Sequence, residues 1–191
     1  MPQPCNEERG RVLTRLARAR IARDLGLPAE EPERPAWLKQ PGAAFVTLTR
    51  DGRLRGCIGS LSARRSLEED VEENARLAAF ADPRFAPLTP EEFADTEVEV
   101  SVLSSAEPIH FTDEADALRQ LRPGIDGVIL EYGRQRATFL PQVWAQLPEP
   151  RDFLAHLKRK AGLPADFWHP DLKLYRYTVE KYTEAPDHAH A

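Results

Sequence analysis

Two runs of strand-forming residues, Phe45-Val-Thr-Leu-Thr49 and Arg53-Leu-Arg-Gly-Cys-Ile58, flank Arg50-Asp51-Gly52, and no other stretch constrains the chain as strongly. Glycine tolerates the positive φ of a tight turn, so the segment predicts two antiparallel strands joined as a hairpin. The second strand carries Cys57 among Arg53 and Arg55 and runs into Gly59 and Ser60.

Around that hairpin the periodicities change in a regular order. Asn6 is placed to cap a helix with Val12, Leu13, Leu16, Ala17, Ile21 and Leu25 at helical spacing, ending near Gly26. Residues 28–41 contain Pro28, Pro32, Pro35 and Pro41, which cannot hold a helix or a central strand and read as an extended connector pinned by Trp37. Ser66 and Glu69 form a capping box, and Leu67, Val71, Ala75 and Ala78 then line one helical face. Asp70, Glu72 and Glu73 read as the solvated surface of that helix. Thr89-Pro-Glu-Glu92 repeats the start signal for a short helix, and Thr96-Glu-Val-Glu-Val-Ser-Val-Leu103 alternates as a half-covered strand does.

The second half follows the same plan in outline. A helix is expected over Glu114–Leu121, a hairpin from Gly127–Tyr132 and Arg136–Leu140 around Gly133, and a helix over Pro150–Ala161 stopped by Gly162. One long strand, Leu172–Tyr182, is expected to close the chain. Hairpins dominate and helices are segregated from strands, which predicts an α+β protein with a mainly antiparallel sheet.

Charge and cysteine usage narrow the function classes. A formal net charge of −5 with 30% charged residues argues against whole-surface attraction to nucleic acid or anionic lipid. Arg9, Arg11, Arg15, Arg18, Arg20 and Arg23 wrap several sides of the first helix and are interrupted by Glu7, Glu8 and Asp24, so they read as a solvated face. No apolar run approaches the roughly 20 residues that a membrane helix needs. Cys5 and Cys57 do not make a disulfide framework, and a free interior thiol suits the cytoplasm. No zinc-type Cys/His spacing exists, and His188 and His190 in a loose tail, 185–191, define no metal site. Gly52, Gly56 and Gly59 match neither dinucleotide nor phosphate-loop spacing, so neither metal nor cofactor is expected.

Six motifs stand in order along the chain: Leu54-Arg-Gly-Cys-Ile-Gly59, Asp82-Pro-Arg-Phe85 with Pro87 and Leu88, Val100-Ser-Val-Leu103, Gly124-Ile-Asp-Gly-Val-Ile-Leu130, Thr138-Phe-Leu-Pro-Gln-Val143 and Lys160-Ala-Gly-Leu163. In these the chain resembles the AMMECR-type domain family, whose bacterial and archaeal members are called AmmeMemoRadiSam system protein A. The resemblance implies two related β-rich repeats that exchange their last strands, with an added N-terminal helix. It divides the chain into a helix over 1–27, a domain over 28–184 with repeats at roughly 42–105 and 106–184, and the tail. The family has no settled biochemical activity. Its association with a Memo-type protein, similar to non-haem-iron extradiol dioxygenases, and with a radical S-adenosylmethionine protein implies a joint pathway. The chain would be the non-radical member, because two cysteines cannot supply a Cys-x3-Cys-x2-Cys cluster. Family members often carry a cysteine in the helix before Lys-Ala-Gly-Leu, where this chain has Lys158.

The residues support three readings. If Leu54, Gly56 and Ile58 face the core, Arg53, Arg55 and Cys57 share the opposite face, where guanidinium groups could stabilise a thiolate. Gly56 and Gly59 would then let a substrate or another backbone approach closely, and the N–H groups at Gly59 and Ser60 could receive an anion. Against this stands a Cys57 that is simply core, with the arginines paired across strands to Glu97 and Glu99 and the glycines easing packing. A base for a Cys57 nucleophile would come from His110, His156 or His169, none of them near it in sequence. Asp82 and Arg84 could project from a tight Asp-Pro loop into a cleft, or form an Asx-turn with a structural ion pair. The preferred reading is a binding or scaffold module offering Arg55, Gly56, Gly59, Ser60, Asp82 and Arg84 to a Memo-type or radical S-adenosylmethionine partner, or to a small acidic ligand. The alternative is a cysteine-dependent acyl or other group transferase. A nucleic-acid-associated regulator ranks last, because aromatics are not interleaved on a basic surface.

Overall fold

The opening periodicity becomes helix α1 (Asn6–Asp24) of a computed structural model that describes residues 5–184. Its N-cap is Cys5, without a side-chain cap, and Asn6 lies inside the first turn, so the helix begins one residue earlier than expected. Val12, Leu13, Leu16, Ala17 and Ile21 form its buried stripe, and the chain turns at Gly26 with φ +71°. The proline-rich connector runs without regular structure to a single 3-10 turn at Ala36–Lys39, where Leu38 is buried and Trp37 lies under the Arg9 guanidinium.

The hairpin forms as β1 (Pro41–Arg50) and β2 (Arg53–Gly59), with Asp51 and Gly52 both at positive φ in the turn. A two-residue β3 (Arg65–Ser66) pairs with the start of β1. Helix α2 (Leu67–Phe80) starts from the Ser66/Glu69 capping box, and α3 (Pro90–Ala94) from a second box made by Thr89 and Glu92. Strand β4 (Thr96–Leu103) lies antiparallel on the other side of β1, with Val46 opposite both Ile58 and Val100. Helices α1 and α2 cover this sheet, and Leu13, Leu16, Val46, Leu48, Val71, Val98 and Val100 meet in its core.

The second sheet joins β5 (Glu107–Pro108), β6 (Gly127–Tyr132), β7 (Gln135–Phe139) and β8 (Lys173–Tyr177) in the order β5-β8-β6-β7. Helices α4 (Glu114–Gln120) and α5 (Pro150–Lys160) pack with it around Leu130, Trp144, Phe153, Leu157 and Leu174. Lys158 is fully buried on α5, its Nζ donating to Glu114 Oε1 at 2.5 Å and facing the Trp168 ring.

The expected long closing strand is two strands. Thr178 donates its N–H to Ser104 Oγ and accepts the Ser104 N–H, which takes its backbone out of the ladder. Before it β8 belongs to the second sheet, and after it β9 (Val179–Thr183) pairs with β4, giving the first sheet the order β2-β1-β4-β9. The chain divides into two compact units, one of residues up to Leu103 with those from Glu180 onward, the other Ser104–Val179. The α+β class and the antiparallel pairing expected from the sequence are those of the structure. Among the described residues no helix is long and apolar enough to cross a membrane. The tail 185–191, with His188 and His190, lies outside the described residues.

Candidate functional site

Strand β2 is the outer strand of its sheet, so one side of its backbone lacks a strand partner among the described residues. Thr47 and Cys57 are register partners. Because the Cys57 N–H is directed to Asp82 rather than to β1, they form the close, non-hydrogen-bonded kind of pair, and the Thr47 hydroxyl lies 3.3 Å from Cys57 Sγ. The outward N–H of Cys57 donates to Asp82 Oδ2 at 3.0 Å, and its carbonyl accepts from Arg84 Nη2 at 3.3 Å. Pro83 holds the Asp82-Pro-Arg84 turn that delivers both groups.

Asp82 is itself buried, and each of its oxygens accepts twice. Oδ1 takes the Arg84 N–H and Nε, and Oδ2 takes Cys57 N and Arg84 Nη2 at 2.7 Å. The Arg84 guanidinium, aided by the N–H groups of Cys57 and Arg84, holds the Asp82 carboxyl well below the usual carboxylate range despite burial. It is an anion with no acceptor position left for a proton, and so it fits structural support better than general-base work.

Arg55, on the same face as Cys57, is drawn away from it. Its Nε and Nη2 engage both oxygens of Glu92, and Nη2 also donates to the Ala86 carbonyl. Glu92, held below its ordinary range first by Arg55 and then by the Thr89 N–H, ties β2 to α3. The expected cross-strand pairing with Glu97 and Glu99 does not occur. Those residues are on β4, and β1 stands between β4 and β2; Thr47 faces Glu99 on one side and Cys57 on the other. The Phe85 ring lies 5.7 Å from the Arg55 guanidinium carbon and 5.5 Å from that of Arg84.

Leu54 was expected to face the core but is 43% exposed. A register shift at Leu48/Thr49 twists the hairpin end away from the core, and Gly56 is the first buried residue of β2. Space beside the glycines belongs to the chain itself: a Cβ at Gly56 would lie 2.1 Å from the Ala78 carbonyl oxygen of α2, and one at Gly59 2.2 Å from the Phe45 ring. Ser60 turns inward. Its hydroxyl donates to Asp70 at 2.6 Å and accepts from Asn74, while Asp70 also receives the Ala44 N–H and Arg65 Nε.

Asp70 is therefore buried, contrary to the solvated position expected for it. Asp70 and Asn74 are the residues that reading missed, yet their spacing is a signal. They fall on the stripe of Leu67, Val71, Ala75 and Ala78, where an acid and an amide four residues apart must find partners inside. Thus Cys57, Arg55, Asp82 and Arg84 come together with Phe85 and Glu92, whereas Ser60 belongs to a neighbouring buried network. His110, His156 and His169 belong to the other compact unit, the first two exposed and the third half-buried. Among the described residues no group of three or more His, Cys, Asp or Glu is arranged to hold a metal.

The AMMECR1 family model matches residues 14–182. The chain is 38% identical to a protein of Methanothermobacter thermautotrophicus over 189 residues, covering 95% of this chain and 97% of that one. It is 40% identical to a protein of Thermotoga maritima over 146 residues, 75% of this chain and 79% of the other. Among solved structures it is similar to the uncharacterised protein PH0010 of Pyrococcus horikoshii, with a TM-score of 0.77, 37% identity, and coverage of 94% and 93% of the two chains. A family match across most of the chain, relatives matched over most of their length and a shared fold make the chain a member of the AMMECR1 family.

Proposed function

We propose that the chain is a protein A of the AmmeMemoRadiSam type, serving as a non-catalytic binding component for a Memo-type and a radical S-adenosylmethionine partner. The observation that carries this reading is the state of Asp82. The carboxylate that reaches Cys57 spends its acceptor positions on Cys57 N and Arg84, so it fixes the strand rather than activating the thiol. Arg55, the other candidate activator, is committed to Glu92 and Ala86. What remains is a firmly held face of β2, α3 and the Asp82–Phe85 loop, suited to presenting a surface. The proposal takes residues 28–184 as the binding domain, with repeats at 42–105 and 106–184, and residues 1–27 as an added helix. A cytoplasmic setting belongs to it, since Cys5 and Cys57 are both free thiols.

Two measurements test it. Co-purification with each partner under reducing, low-oxygen conditions should retain a complex, and an R84E substitution should weaken it. In a Cys5→Ala background, iodoacetamide should modify native Cys57 at least about tenfold more slowly than the denatured chain. Rapid native labelling with turnover of an acyl donor would instead establish the cysteine-dependent enzyme, the reading favoured by a Cys57 that is half-exposed, with Arg84 on its backbone carbonyl.

A further inference from the structure

We infer that the depression at the turn of the β1–β2 hairpin recognises the carboxylate or phosphate group of a small anionic ligand, with Arg53 and Arg50 as donors and Leu54 as an apolar wall. This rests on the proposal that the first unit presents a binding face, and it adds where on that face and to what chemistry. The depression has a volume of about 420 Å³ and is lined by Arg50, Asp51, Arg53, Leu54, Arg55 and Glu92. That volume suits a small molecule rather than a strand or helix.

Charge compensation in the depression is incomplete. Glu92 is shared by Arg50 and Arg55, and it also accepts the Thr89 N–H at the start of α3. Its contact with Arg50 is long, 3.4 Å, and the next carboxylate, Asp95, is 3.9 Å away. Arg50 Nε and Arg55 Nη1 are buried without an acceptor among the described residues, so neither guanidinium has its full set of hydrogen bonds. Arg53 is exposed and has no carboxylate at ion-pair distance among those residues. An incoming anion meets Arg53, which has no carboxylate of its own among the described residues, and the exposed part of Arg50, which holds Glu92 and Asp95 only at 3.4 and 3.9 Å. Planar guanidinium forks match carboxylate and phosphate oxygens, and such charge-assisted bonds are the stronger class.

Leu54 adds a second element of the chemistry. Leu54, 43% exposed beside the arginines, offers an apolar wall on which an apolar part of the ligand can rest beside its anionic group. The net charge of −5 means that the protein as a whole does not attract anions, so recognition comes from contact and not from long-range steering.

The test titrates the full ¹⁵N-labelled chain with sodium phosphate and, separately, with sodium citrate, against sodium chloride of matched ionic strength. Saturable shifts are expected at Arg50, Arg53, Leu54 and Arg55 with at least one of the two anions. R53Q should weaken binding roughly tenfold, R50Q comparably, and R119Q, at an exposed position of α4, not at all. R53Q removes an exposed side chain, and its thermal unfolding should match the parent. Saturation by citrate alone assigns a carboxylate ligand and by phosphate alone a phosphate ligand, and either supports the site. Shifts no larger than with chloride, or saturation untouched by R53Q, overturn it. Partner co-purification separates the two proposals. A complex that forms although neither anion saturates removes only the anion site, and anion saturation without any complex removes only the scaffold reading.

Discussion

Asp82 accepts the backbone N–H of Cys57 at 3.0 Å from a loop 25 residues further along the chain. The bond gives an outer strand the partner that a neighbouring strand would supply, while the Arg84 guanidinium does most to keep the loop carboxylate ionised. Asp82→Asn should cost about 2 kcal/mol at neutral pH, since a buried acceptor shared by Cys57 and Arg84 is lost. The Asp82 carboxyl is held below its value in the unfolded chain, about 3.9. Its contribution is therefore complete above that value and is lost as pH falls toward the lower folded value. Urea midpoints of parent and variant should stay a constant interval apart from pH 7 to 5 and converge below about pH 4; parallel profiles down to pH 3 would refute the assignment.

Two glycines of the hairpin, Gly56 and Gly52, should respond to substitution for different reasons. At Gly56 a methyl group meets a helix carbonyl that cannot move alone, so Gly56→Ala should cost about 3 kcal/mol or prevent folding. At Gly52, with φ +71° and open space around it, Gly52→Ala should cost only about 1 kcal/mol, from the left-handed backbone. Urea unfolding of both variants measures the difference, and equal losses would contradict the close approach of α2.

Asp70 should prove among the most sensitive polar residues of the first sheet. Asp70→Ala strands the Ala44 N–H, the Ser60 hydroxyl and Arg65, and should cost about 3 kcal/mol, against about 1 kcal/mol for Ser60→Ala. Amide exchange at Ala44 gives a local readout. It should accelerate in Asp70→Ala and hold in Ser60→Ala.

The buried Lys158 makes an asymmetric pair with Glu114, whose side chain is 37% exposed. Removing the carboxylate leaves an ammonium inside the protein, so Glu114→Ala should cost about 3 kcal/mol. Removing the ammonium leaves a carboxylate that water can reach, so Lys158→Met should stay within about 1 kcal/mol of the parent, and the double variant Glu114→Gln with Lys158→Met close to it. Chemical denaturation of the three variants decides, and a larger loss for Lys158→Met than for Glu114→Ala would overturn the account.

Local signals in the sequence carry most of the fold. The Asp51–Gly52 turn, the two capping boxes at Ser66 and Thr89, and the alternating valines of β4 each declare an element through a few adjacent residues. The break at Thr178 is not local. It depends on paired bonds to Ser104, which no periodicity in 172–182 reveals. The site divides in the same way. The shared face of Arg55 and Cys57 follows from strand alternation, but the choice of Glu92 over Glu97 and Glu99 follows from strand order, knowable only once β1 is seen between β2 and β4. Asp70 was readable in principle from its helical phase, and was hidden by the acidic run around it.

The turn at Thr178 also sets a schedule. Strand β4 is synthesised with the first sheet, yet its outer neighbour β9 leaves the ribosome only after the whole Ser104–Val179 unit. Until then the outer backbone of β4 waits without its strand, and Arg18 and the Val98 N–H wait for Glu184, which accepts from both in the finished fold. The N-terminal half of the molecule is thus the first made and the last completed, with an open strand edge through the interval when a nascent chain is most exposed to wrong pairing.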